Sequence, residues 1–325
     1  MRYLITFLLI TLLASCAAPT TKPVSVSEDQ AKAEAEIQKQ LVIKSQYKTN
    51  LRALKVGIPI LIAGAKECSD NIRPLSGLVP GAWQTTEADY QDAFKALYGN
   101  EDEVKLFVVP DSFAEKAGFK NKDSLLAING ISVTTGKEGL KKAIDDFNRE
   151  ATNEAMVEYT IRRDGERQFI SMVSPMACAY PISVSTDDSL NAWADGKQIV
   201  LTKGMMRFTE NDDELALVIG HELAHNNMGH IAAKTKNFWI GTIFDVLIAG
   251  TTGVDTGNAF GKAAASSYSQ EFESEADYVG LYFAARAGYN IEDAPNFWRR
   301  MAVEHPASIK NSYGATHPAT PNRYV

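Results

Sequence analysis

The sequence predicts an α+β protein of two folded units: a mainly helical C-terminal unit with a small edge-exposed sheet, and a smaller α/β unit before it. Three observations lead there. Residues 104–173 alternate short apolar runs with the turn signals Asn129–Gly130 and Asp164–Gly165 and hold one helix-forming stretch. Beyond residue 203 the chain carries long helix-forming runs, preceded by one clear strand, "QIVLT". A length of 325 residues is enough for two hydrophobic cores.

At the N-terminus, residues 1–15, "MRYLITFLLITLLAS", place Arg2 before an apolar run too short to span a bilayer, the proportions of a signal peptide. The run ends in Leu13, Ala14, Ser15 and Cys16, which resembles a bacterial lipobox. That resemblance implies lipidation at Cys16. Alanine rather than aspartate at position 17 implies, by resemblance to sorted lipoproteins, the periplasmic face of the outer membrane. Residues 16–30 are rich in Pro, Ser and Thr and read as a flexible tether. In that compartment the remaining cysteines, Cys68 and Cys178, are a candidate disulfide.

Residues 31–103 read as an N-terminal helical region. A helix is expected from Ala31 to about Lys55, whereas "VGIPILIAGAKEC" stays open between strand and helix. Residues 104–173 run strand, short helix ending near Gly118, strand, helix "GKEGLKKAIDDFNRE" and hairpin "EYTIRRDGERQFISMV". Through Pro110, Ala114, Ala117, Gly118, Asp123, Ile128, Asn129 and Gly130 this stretch resembles a bacterial PDZ domain. It departs from that pattern at Asn121 and Lys122, where a glycine usually precedes the aspartate. The resemblance implies capture of an extended peptide on a sheet edge.

Residues 174–325 form the second unit. One long helix is expected over "NDDELALVIGHELAHNNMGHIAAK", opened by Asn211 or Asp212, and another over "SSYSQEFESEADYVGLYFAARAG", closed by Gly288. "NFWIGTIFDVLIAG" between them is strongly apolar but interrupted by Asp245. Net charge is −7 and the basic residues are scattered, which excludes nucleic acid as an expected partner.

The chemistry concentrates in "GHELAHNNMGH". His221 and His225 are four apart on a helix, so both imidazoles leave one face and can share a zinc ion. Glu222 follows the first of them, placed to take a proton from water: the HExxH arrangement of zinc metallopeptidases. His230 lies roughly 140° from His225 on a continuous helix and faces away, so it reads as a structural hydrogen-bonding residue. The third ligand is expected in "EFESEAD". Glu273 and Asp277 share a face with Ala276, Gly280, Leu281 and Ala284, small enough to pack on another helix. Glu271 and Glu275 share the face of Tyr278 and Tyr282, which reads as solvent-exposed. Glu273 is therefore the expected ligand, and Asp277 the acceptor for the outer N–H of a ligating histidine.

"GHELAHNNMGH" followed by "ESEAD" resembles the HtpX-like and CAAX-prenyl-protease-like zinc metallopeptidases, metallopeptidase family 48, in a soluble branch with a PDZ-like unit and a lipid anchor. The resemblance covers residues 180–325. It implies one zinc per chain on His221, His225 and Glu273, Glu222 as base and Asp277 behind the ligands. It also matches Thr316, His317, Pro318 and Arg323, which makes His317 a candidate catalytic residue and Arg323 a candidate oxyanion donor or structural residue. The expected function is an envelope endopeptidase acting on unfolded or misassembled proteins, with substrate lying extended along an edge strand near "QIVLT". The alternative is a PDZ-type adaptor or assembly chaperone whose zinc is structural.

Overall fold

The computed structural model describes residues 24–150, 156–252 and 269–304, with 21, 255–257, 259, 262 and 306 beside them. A 36-residue helix, α1 (Glu28–Ala63), leads. Ser27 and Gln30 cap it reciprocally, each side chain accepting from the other's backbone N–H. Most of its first half is exposed, but Ala53, Val56, Ile58, Ile60 and Leu61 are buried. The open segment is thus helix from Val56 to Ala63, with Pro59 inside it, and turn and bend from Gly64 to Cys68. A turn apolar on every side belongs within a core, and burial there outweighs the hydrogen bond that proline removes.

Residues 64–103 are not all helical. They hold β1 (Ile72–Pro74), β2 (Leu78–Gly81) and α2 (Gln91–Tyr98). β2 pairs antiparallel with β3 (Val104–Val108), Leu78 opposite Val108, so the small unit begins upstream of the Val104 boundary. Its other elements are α3 (Phe113–Lys116), β4 (Asp123–Ile128), β5 (Ile131–Ser132), α4 (Gly136–Glu150), β6 (Met156–Arg163) and β7 (Glu166–Val173). The strand order is β2-β3-β4-β6-β7, with β5 on β4. Asn129 and Gly130 (φ 47° and 75°) and Asp164 and Gly165 (φ 52° and 84°) adopt the left-handed pairs that two-residue hairpin turns need. Leu106, Leu125, Ile128 and Ile161 centre the core of this unit.

The chain enters and leaves the small unit through paired strands. β1 runs antiparallel to β8 (Met176–Cys178), Ile72 opposite Cys178. Cys68 and Cys178 form a disulfide there, with Cα atoms 5.6 Å apart.

The second unit comprises β9 (Ile182–Ser185), β10 (Ala192–Ala194), β11 (Ile199–Thr202), α5 (Lys203–Phe208), α6 (Asp212–Asn227), α7 (His230–Thr252), α8 (Ser269–Arg286) and α9 (Ala294–Glu304). Its sheet runs β10-β11-β9, antiparallel then parallel. The "QIVLT" strand is therefore the central one, with both edges used, and the edge strands beside it, free among the described residues, are β10 and β9. One core joins Val56 and Ile60 of α1 to Leu215, Ile219 and Leu223 of α6, Phe283 of α8 and Phe297 of α9.

The long helix expected through Lys234 is two helices. α6 caps at Met228, and Gly229 (φ 70°) turns the chain before α7 begins. The "NFWIGTIFDVLIAG" segment lies in α7, with Trp239, Ile240, Ile243, Val246 and Leu247 exposed along one side and Asp245 buried. No helix among the described residues is long and apolar enough to cross a membrane.

Candidate metal centre

α6 is fixed at its start by three elements. Asn211 caps it, accepting from the Glu214 N–H at 2.9 Å. Asp212, Asp213 and Glu214 fill its first turn, where the helix dipole favours negative charge. Arg52 of α1 donates to Asp212 Oδ1 at 3.1 Å and to the Asn211 carbonyl at 2.8 Å, and Arg300 of α9 pairs with Glu214 at 2.5 Å. From Glu214 to Asn226 every residue is buried, so the histidine pair sits on a helix held from all sides.

His221 Nε2 and His225 Nε2 lie 3.0 Å apart. Glu273 of α8, wholly buried, places Oε2 at 3.3 Å from His221 Nε2 and Oε1 at 3.4 Å from His225 Nε2. Three donors at about 2.0–2.1 Å from a tetrahedral zinc lie about 3.3 Å from one another, so these atoms fit one ion. Among the described residues, the cluster able to hold a metal is His221, His225 and Glu273. Burial opposes charge on His221, but its hydrogen bonds to Asp277 and Glu273 prevail and raise the imidazole to about 10. Lys234 of α7 also approaches, its Nζ 3.5 Å from Glu273 Oε1.

Around the donors, Asp277 Oδ1 accepts from His221 Nδ1 at 2.9 Å, and the Trp298 ring lies 5.5 Å from that of His221. Glu222 is buried next to His221. Glu271, Tyr278 and Tyr282 are exposed, as the face argument expects. The two ligand-bearing helices meet at glycines. A Cβ on Gly220 would stand 2.5 Å from the Gly280 carbonyl oxygen, and one on Gly280 would stand 2.7 Å from the His221 nitrogen. His317 and Arg323, like Cys16, lie outside the described residues.

Two features escape the sequence reading. His230 does not face away: its Nδ1 lies 3.0 Å from His225 Nδ1 and its Nε2 3.0 Å from Glu275 Oε2. The signal for this was Gly229, which a continuous helix ignores. Asn226, one residue past the second histidine, ties α6 to the turn between β10 and β11. It accepts from the Gly196 N–H at 2.7 Å and donates to the Gln198 carbonyl at 3.0 Å.

Comparison with known proteins bears on the same helices. Residues 156–324 match the model of peptidase family M48. The beta-barrel assembly-enhancing protease of Yersinia pestis is 30% identical over 130 residues, 36% of this chain and 27% of that protein. The mitochondrial metalloendopeptidase OMA1 of Arabidopsis thaliana is 30% identical over 149 residues, 45% of this chain and 30% of that protein. The beta-barrel assembly-enhancing protease of Escherichia coli (strain K12) is 25% identical over 166 residues, 46% and 33% respectively. The chain thus spans about a third of the length of these relatives. Because the family match takes in more than half of the chain and both helices that face the donor cluster, this chain belongs to peptidase family M48, the zinc-dependent metallopeptidases.

Proposed function

We propose that this chain is a zinc endopeptidase of the bacterial envelope that hydrolyses unfolded or misassembled proteins. The observation that carries the reading is the buried donor set of His221, His225 and Glu273, with separations of 3.0–3.4 Å, beside the carboxylate of Glu222. When bound, zinc supplies a Lewis acid that polarises the scissile carbonyl and lowers the pKa of water toward 7. Glu222 takes the proton of the attacking water and passes it to the leaving nitrogen. Asp277 holds the outer N–H of His221 and so keeps Nε2 free for the ion. His317 and Arg323 remain the proposed donors to the developing oxyanion. For an extended substrate, the outer edge of β10, the edge strand next to "QIVLT", is the proposed pairing site. Two of the matched relatives are named beta-barrel assembly-enhancing proteases, which supports the envelope setting.

The purified protein is expected to carry one zinc and to degrade casein, with a chelator abolishing the activity. Glu273→Ala and His225→Ala are expected to emerge without zinc, whereas Glu271→Ala keeps it, as elemental analysis of each variant will read. Stoichiometric zinc in Glu273→Ala sinks the ligand assignment. Zinc without casein degradation favours the adaptor alternative.

The N-terminus and the small unit complete the proposal. Lipidation at Cys16 anchors the chain to the outer membrane, so Cys16→Ser should no longer partition with membranes on fractionation. Unchanged partitioning of that variant removes the lipid from the account. The small sheet is proposed as a PDZ-like peptide binder. β2 is a terminal strand of that sheet and α4 packs against β2 and β3, an arrangement open to strand addition.

A further inference from the structure

The turn at Gly229 has a chemical result. It brings His230, the first residue of α7, back against the second histidine of the donor set, where the residue is 1% exposed. The ring stacks on Phe272 of α8, with centroids 4.7 Å apart and planes inclined by 22°. One face is thus fixed by packing and both nitrogens have polar partners at 3.0 Å, His225 Nδ1 on one side and Glu275 Oε2 on the other.

Proton accounting leaves one arrangement consistent with a metal. His225 turns Nε2 toward His221 Nε2 and Glu273 Oε1, so a ligating His225 keeps its lone pair there and its proton on Nδ1. That N–H has the Nδ1 of His230 in front of it, and two N–H groups cannot face each other at 3.0 Å. His230 must accept at Nδ1, which places its own proton on Nε2, directed at the Glu275 carboxylate. Resting on the metal reading above, we propose that His230 and Glu275 form a relay that fixes the tautomer and orientation of His225 as a metal ligand. The two ligating histidines are then supported alike. His221 ends on Asp277 directly, at 2.9 Å, and His225 ends on Glu275 through one intervening imidazole. Both supporting carboxylates come from α8, the helix that also supplies Glu273, so one helix sets the ligand and both outer acceptors.

A packing role for His230 is separable from this one, because phenylalanine preserves the ring on Phe272 but cannot accept a proton. Zinc affinity of the full chain, read by competition against a chelator, should fall about 10- to 100-fold in His230→Phe, the usual cost of losing such support. His230→Gln, which restores an acceptor, should recover most of that loss. Glu275→Ala, at a side chain 52% exposed, should still purify with zinc but bind it several-fold more weakly. Long-range proton–nitrogen NMR of the zinc-loaded, histidine-labelled protein should place protons on His225 Nδ1 and His230 Nε2. Affinity within about twofold of the parent in both His230→Phe and Glu275→Ala overturns the relay, as does a proton on His230 Nδ1. If His230→Phe does not fold, Glu275→Ala and the spectrum of the unaltered protein decide. A parent protein that binds no zinc overturns the metal reading itself, a separate outcome from an intact zinc site indifferent to His230.

Discussion

Glu222→Gln is expected to fold, to purify with one zinc and to lose casein hydrolysis by at least about 100-fold, some 2.7 kcal/mol in the barrier. The substitution changes one oxygen for an amide nitrogen at nearly constant volume, so the buried site keeps its packing. Glu222 is outside the donor cluster of His221, His225 and Glu273, so the ion should stay. Only the capacity to take and return a proton is removed. Zinc content, thermal unfolding and rate, measured on one preparation, separate these effects. Near-normal turnover with zinc in place would move the base elsewhere or make the metal structural. In the adaptor alternative the variant and its parent would bind peptide equally well and cleave nothing.

The parts of the site that could be read from the sequence are those set by local geometry. A spacing of four places His221 and His225 on one face wherever a helix forms. The choice of Glu273 over Glu271 needed only the contrast between Ala276, Gly280 and Ala284 and the large residues Tyr278 and Tyr282. The first face is indeed packed against α6 and the second is exposed. The hydrogen-bonding role of His230 is legible but its place behind His225 is not, because the apolar period runs on through it while a single left-handed glycine redirects the chain.

The misread parts of the fold depend on pairing over distance. β2 has four residues, one of them Pro80, too few for an alternating pattern, and its partner β3 begins only after α2 has intervened. The central position of β11 depends on β9, which arrives from upstream to pair in parallel, Ile199 opposite Ile182. Nothing within "QIVLT" distinguishes a middle strand from an edge. The turn-defined hairpin of β6 and β7 was legible because Asp164 and Gly165 specify its reversal on their own. The helix ending in "VGIPILIA" was not, since its length is set by burial among β9, α6 and α8 rather than by propensity.

The close crossing of α6 and α8 is the point at which one methyl group should cost most. In an exposed helix Gly→Ala is stabilising by about 1 kcal/mol, because alanine loses less entropy on folding. At Gly280 the new Cβ meets the His221 nitrogen at 2.7 Å and the Gly220 carbonyl carbon and His221 Cα at 2.8 Å. These are backbone atoms of a buried helix, which cannot swing aside as a side-chain end could. Reaching ordinary contact requires the helices to part by about 0.7 Å or more, through a core packed at crystal density. Metal sites tolerate errors of about 0.2 Å in ligand distance, and His221 and Glu273 belong to the two helices that cross here. Gly280→Ala is therefore expected to weaken zinc binding at least about 100-fold and to lower the stability of the zinc-free protein by about 2 kcal/mol, overpacking outweighing propensity. Chelator competition reads the first effect and denaturant unfolding in excess chelator the second. A variant that is more stable than its parent and holds zinc as tightly would show that the helices can shift without moving the donors. The crossing would then be incidental to the site rather than the contact that brings Glu273 to the histidines.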